Sequence, residues 1–245
     1  WWYLPARARD EAEAGEPAYE AYQRFLSPPA AAADPDAARI THLRQGLLLI
    51  RLDRTEEAAR ALSEMSREAP AIADRIDVLA AEALATLGDT AGVRARLISS
   101  GGDATLRTRG QRALLRAYEA TEDAAGALAQ ARRFRAEAAN DSDRSWFAHF
   151  AGRMAHELGD VELARAELRA ALASAPASAA AGSAATLLEE IGGLTVADRL
   201  ALARTLDTRG ANSRAAAHYR AWLAAEVGSE AERARVRQAM GQALF

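Results

Sequence analysis

The interval at which small apolar residues return along this chain restricts its fold more than any other feature. Between Ser145 and Ser178 the sequence reads SWFAHFAGRMAHELGDVELARAELRAALASAPAS. Gly152 falls midway along a first helical stretch, where a small residue admits a neighbouring helix at close range. Gly159-Asp160 breaks the stretch, because glycine takes the left-handed conformation that ends a helix. Ala164, Leu168 and Ala171 then return at spacings of four and three, one apolar face of a second helix. Pro176 stops it. The place held by Ala164 is held upstream by Ala127, Val93 and Ala58, at intervals of 37, 34 and 35 residues. The next equivalent, Ala215, follows after 51.

Four segments follow from this spacing. Residues 1–34 form an aromatic start, Trp1-Trp2-Tyr3-Leu4, expected to cap the open end of a stack. A degenerate helix pair split at Gly15-Glu16-Pro17 and a proline-rich loop, Ser27 to Asp36, complete it. Residues 35–178 hold the regular helix pairs, with turns at Asp53-Arg54, Gly88-Asp89, Thr121 to Asp123 and Gly159-Asp160. Residues 179–194 form one inserted helix and a Gly192-Gly193 linker, and this insertion accounts for the long interval. Residues 195–245 hold a further pair and the first helix of an incomplete one, with Gly241 in the small-residue place. A single pair cannot bury its apolar face, whereas stacked pairs share a continuous core. The expected fold is all-α: a right-handed α-solenoid of about five to six helix pairs with one inserted helix, its concave face lined by first helices.

Composition agrees with an all-α class. Half of the 245 residues are apolar but only 6% are aromatic, alanine making up the difference, and alanine is the best helix former. The formal net charge of −3 points to neither nucleic acid nor an anionic membrane as partner. There is no cysteine, which excludes disulfides and thiolate chemistry. No run approaches the roughly 20 apolar residues that span a bilayer. The start at Trp1 instead of methionine, and the unpartnered last helix, lead us to expect that the natural chain continues at both ends.

Catalytic patterns are sparse. The histidines are His42, His149, His156 and His218, and none stands three or four residues from another as a helical metal site requires. Glu189-Glu190 are adjacent, so they point in different directions on a helix. No metal, cofactor or catalytic residue is expected. Every basic side chain except the histidines is arginine, whose planar fork suits carboxylate and phosphate. Placed on the first helices, Arg75 and Val78, then Arg109, Arg112 and Arg116, then Trp146, His149, Arg153 and His156, then Leu200 and Arg204 are expected to face the groove. That arrangement would be basic with an aromatic edge and would take a protein or an acidic peptide; the alternative, and the plainer reading, is a set of ordinary solvated arginines.

The spacing of Gly152, Gly159-Asp160, Ala164, Leu168, Ala171 and Pro176 resembles the tetratricopeptide family. The likeness extends over about Arg39 to Phe245, and a period of about 34 residues is that family's. It implies a scaffold or peptide-binding module without catalysis. Some members clamp a chaperone's terminal carboxylate with lysines and asparagines. This chain has no lysine and only Asn140 and Asn212, so that activity does not carry over. A weaker likeness joins LTVADRLALARTLDTRG at Leu194 to Gly210, and RQAMGQALF at Arg237 to Phe245, to the α-superhelical region of soluble lytic transglycosylases. There catalysis belongs to a C-terminal lysozyme-like domain with a Glu-Ser motif, and no Glu-Ser dipeptide occurs here. The reading that follows is a non-catalytic scaffold, an accessory subunit docked on the extracytoplasmic face of a membrane complex, hence periplasmic. The alternatives are the superhelical part of such a peptidoglycan enzyme and a cytoplasmic peptide receptor.

Overall fold

A computed structural model describes residues 3–11, 15–27, 30–99 and 103–244, and every extended element among them is helical. The chain divides into two compact units, residues 1–123 and 124–245. The first unit holds α1 (Tyr3–Glu11), α2 (Gly15–Leu26), the single turn α3 (Ala30–Ala33), α4 (Pro35–Arg51), α5 (Thr55–Glu68), α6 (Ala73–Thr86), α7 (Thr90–Ser99) and α8 (Ala104–Ala120). The second holds α9 (Ala124–Glu137), α10 (Asp141–Glu157), α11 (Val161–Ser174), α12 (Ala179–Ile191), α13 (Val196–Thr208), α14 (Asn212–Ala224) and α15 (Glu230–Ala243). The all-α class is therefore as expected. Trp1 and Trp2, expected to cap a stack, lie outside the described residues.

One backbone device recurs at each pair. Asp53, Gly88, Glu122, Gly159 and Gly210 all have positive φ, from 56° to 78°. They fall five residues before Ala58, Val93, Ala127, Ala164 and Ala215, so the turns repeat at the same intervals as the apolar residues. The amide after each one bonds back to a carbonyl five residues earlier. These bonds are Arg54 to Leu49 (2.9 Å), Asp89 to Leu84 (3.1 Å), Asp123 to Tyr118 (3.0 Å), Asp160 to Ala155 (2.9 Å) and Ala211 to Leu206 (2.8 Å). This closure satisfies carbonyls that a helix end leaves open, and within each unit it aims the chain back for a second helix. At Asp53 and Glu122 a side chain tolerates the conformation without the help of glycine.

Small residues admit large ones across two of the pairs, α4 with α5 and α10 with α11. A Cβ on Gly152 would stand 2.8 Å from Cγ and Cδ2 of Leu168, and one on Gly46 would stand 2.8 Å from Cδ2 of Leu62. Both leucines follow their glycine by sixteen residues and are fully buried. A Cβ on Gly241, by contrast, would meet no neighbour within 4 Å among the described residues, so the small residue expected to admit a second helix there faces open space.

Several boundaries differ from the expectation. α10 begins at Asp141, four residues before Ser145, because Asn140 caps it by accepting from the Asp143 amide at 2.8 Å. Ser145 is instead buried, donating to the Ala171 carbonyl at 2.9 Å and lying 3.0 Å from the Ser178 hydroxyl. The proline-rich loop is shorter than expected. Ala30–Ala33 form a helical turn, and Pro35 opens α4 at its first position, where a missing amide costs nothing, behind the Asp34 cap. The segment after Ser178 does form a helix: α12 packs on α10 and α11 as α8 packs on α6 and α7. Gly192 and Gly193, both at positive φ, end it.

Candidate functional site

Counting back 13, 10, 6 and 3 residues from each left-handed turn residue gives one register on every first helix. On α10 these four places are Trp146, His149, Arg153 and His156. The opposite face of α10, with Phe147, Ala148, Ala151 and Met154, is buried, so the helix is anchored while the register stays accessible. Trp146 and His149 are half-buried and Arg153 and His156 exposed. The Trp146 ring stacks on Phe150 with centroids 5.5 Å apart and meets Phe147 edge-on at 5.3 Å. The Arg153 guanidinium lies 4.9 Å from the Phe150 centroid, a cation–π contact. Trp146, Phe150 and Arg153 therefore form a ladder along α10, because residues three and four apart share a helix face. Burial, aided by the Arg153 charge, depresses the His149 pKa and keeps the imidazole neutral around pH 7. The surface offers a ring, a neutral donor-acceptor and a cation within two turns.

In the first unit the same register on α8 is Arg109, Arg112, Arg116 and Glu119. Arg109 already holds a carboxylate: its Nε and Nη2 donate to Glu82 of α6 at 3.1 and 2.8 Å. Arg112 is half-buried. Arg116 is exposed and makes no ion pair among the described residues. Arg75 on α6 is exposed near Asp103, whose carboxylate caps α8; the Leu106 and Thr105 amides, with a contribution from Arg75, lower its pKa. Val78, expected in the groove, is a core residue, since its turn of α6 faces inward. Five of the eleven residues expected in the groove thus belong to the first unit and six to the second.

Arg204 on α13 stands apart from α10, in a cleft of about 300 Å³ between α13, α14 and α15. Its floor is Tyr219 and Trp222, its walls Leu200, Val236 and Ala239, and its rim Arg204, Arg235 and Glu232. The Tyr219 hydroxyl donates to Asp207 at 3.2 Å, and burial together with that carboxylate pushes its pKa up to about 12. Glu232 accepts from the Ser229 amide at 2.7 Å, which lowers its pKa, with Arg235 and Arg204 adding to the effect. Arg235 escaped the sequence reading. It sits in the first turns of α15, a helix read only for its small residue.

Many of the remaining arginines have structural work. Arg96 meets buried Asp77 at 2.9 Å, Arg132 meets buried Glu167 at 3.1 Å, and Arg169 grips buried Asp198 at 2.5 and 2.8 Å. On α12, Glu189 lies 2.6 Å from His218 Nε2 and also pairs with Arg214, while Glu190 points to solvent. Among the described residues no group of three or more histidine, aspartate and glutamate side chains is placed to hold a metal ion. None of their helices is long and apolar enough to cross a membrane.

No model of a known protein family matches this chain, and no curated protein is similar enough to count as a relative. The class that the helices define is an all-α protein built of recurring helix pairs.

Proposed function

We propose that this chain is a non-catalytic, tetratricopeptide-like scaffold, a right-handed solenoid whose first helices display a binding face for a protein or an acidic peptide. Its place would be that of an accessory subunit docked on a membrane complex outside the cytoplasm. One observation carries the reading: a constant frame with variable contents. The turn bond and the buried face recur from pair to pair. The four display places change from three arginines and a glutamate on α8 to a tryptophan, two histidines and an arginine on α10. Such a frame fixes geometry and leaves recognition to a few side chains.

A random peptide library selected on the whole chain tests this. Acidic peptides are expected to emerge. Their affinity should fall at least tenfold in an Arg112→Glu, Arg116→Glu double variant or in Trp146→Ala, with helix content unchanged. Selected peptides that bind all variants equally overturn the display face. Release of soluble fragments from purified peptidoglycan overturns the non-catalytic part.

A further inference from the structure

The register that holds arginines on α8 and aromatics on α10 holds Ile40, Leu43, Leu47 and Ile50 on α4. Three of these large aliphatics are open to solvent: Ile40 is 50% exposed, Leu47 38% and Ile50 39%. Leu43 is half-buried, packed against the cluster of Leu62, Met65, Ile76 and Ala80. The stripe is not overflow from the core, because α4 already buries Ala38, Thr41, Leu48 and Leu49 on its other side. Spacings of three, four and three put all four within about 80° of arc, and ten residues span about 15 Å along the axis. Scattered exposed aliphatics mean little, but a continuous ridge marks a contact surface.

We infer that this ridge docks an amphipathic helix of a partner protein, one whose apolar seam is flanked by acidic residues. The inference rests on the first-helix register being the display face. A straight ridge along a helix axis matches a second helix laid beside it, read by anchors at i, i+3 and i+7. An extended strand crossing α4 would cover only one or two of these side chains.

Charge selects the partner's flanks. Arg39 and Arg51 bracket the ridge, both exposed, each tied to one carboxylate, Asp36 at 2.9 Å and Asp10 respectively. The Arg39–Asp36 pair is exposed at both ends and weak enough to exchange, whereas Asp10 is mostly covered and holds Arg51 more firmly. Arg75 and Arg116 hold register places on α6 and α8 without an ion pair among the described residues. The one carboxylate in that register on α6, Glu82, is already held by Arg109. A second copy docking through the same face would set these cations against themselves, since a two-fold contact brings identical patches together. The ridge has no tryptophan or phenylalanine, which a membrane-resting helix favours.

The probe is a fluorescent 18-residue helical peptide with leucine at i, i+3, i+7 and i+10 and glutamate on both flanks, titrated by anisotropy with the whole chain. Binding is expected in the tens of micromolar range, weakening severalfold between about 50 and 300 mM salt. Leu47→Glu, a change at an exposed position, should weaken it at least tenfold at unchanged helix content. The same peptide with lysine for glutamate should bind at least tenfold less well. Equal binding of the lysine peptide, or no loss in Leu47→Glu, overturns the inference. So does a Leu47→Glu chain that dissociates from a dimer in sedimentation, or that alone fails to co-sediment with vesicles rich in anionic phospholipid. If this peptide fails while library-selected peptides still depend on Arg112 and Arg116, only the α4 inference falls. If both fail, the display face falls with it.

Discussion

At the scale of single residues the spacing of this chain is set by what fits across a helix pair. Gly152 and Gly46 each face a leucine whose branch carbons would lie within about 3 Å of an added Cβ. Glycine in a helix interior costs up to about 1 kcal/mol relative to alanine, so its use there needs a packing reason. Gly241 has no such neighbour. Gly152→Val is therefore expected to destabilise the chain by about 1–3 kcal/mol through overpacking, while Gly241→Ala should be neutral or stabilising by up to about 1 kcal/mol. Urea unfolding distinguishes them. In Gly152→Val combined with Leu168→Ala the losses should fall short of additive, because the truncated leucine vacates the space the valine needs. Equal effects at Gly152 and Gly241 would show that close approach is not what selects the glycine.

Elements are held in place by caps and by buried carboxylates, and these two differ in how far the sequence reveals them. Caps are local. Ser178, Thr195 and Ser229 stand at the starts of α12, α13 and α15, and the last two close reciprocal boxes with Asp198 and Glu232. The turn intervals were legible for the same reason, since glycine or aspartate marks most of them. The start of α10 was misplaced because Asn140 lies outside the apolar pattern that defined the repeat. Ties between helices are harder to see: Arg169 reaches Asp198 from 29 residues away, and periodicity does not say which neighbouring acid an arginine will meet. Burial alone would raise the Asp198 pKa, but bonds from Arg169 and Thr195 outweigh it and hold it at about 2. In the unfolded chain this carboxyl takes up its proton near pH 3.9, its ordinary value of roughly that size. Its contribution is therefore present above about pH 4 and lost as pH falls through the folded value, an effect on the order of 2 kcal/mol. The stability gap between the parent and Asp198→Asn should accordingly shrink by about that amount between pH 5 and pH 2, followed by denaturant unfolding at each pH. A gap that stays constant would mean the pair does not stay ionised in the fold.

For the whole molecule the recurring frame has a consequence for how stability is distributed. The frame is the most legible feature, because one backbone turn repeats at the intervals of the apolar residues. The candidate site was less so. Arg109 was read as open to a ligand, yet it is held by a glutamate 27 residues earlier, and Arg235 belongs to a helix whose pattern shows only in the folded neighbourhood of Tyr219 and Trp222. In chains of repeated pairs each element depends mainly on its nearest neighbours, so damage should stay local. Leu62 and Leu168 allow a matched comparison: both are fully buried, both sit opposite a glycine, and one belongs to each compact unit. Truncating either to alanine should cost about 2–5 kcal/mol. Amide hydrogen exchange should then rise along α4 and α5 in Leu62→Ala with α10 and α11 unchanged, and the reverse in Leu168→Ala. Local opening of this kind is what separate cooperative segments produce. Protection lost evenly across both units in either variant would instead make the chain one cooperative body.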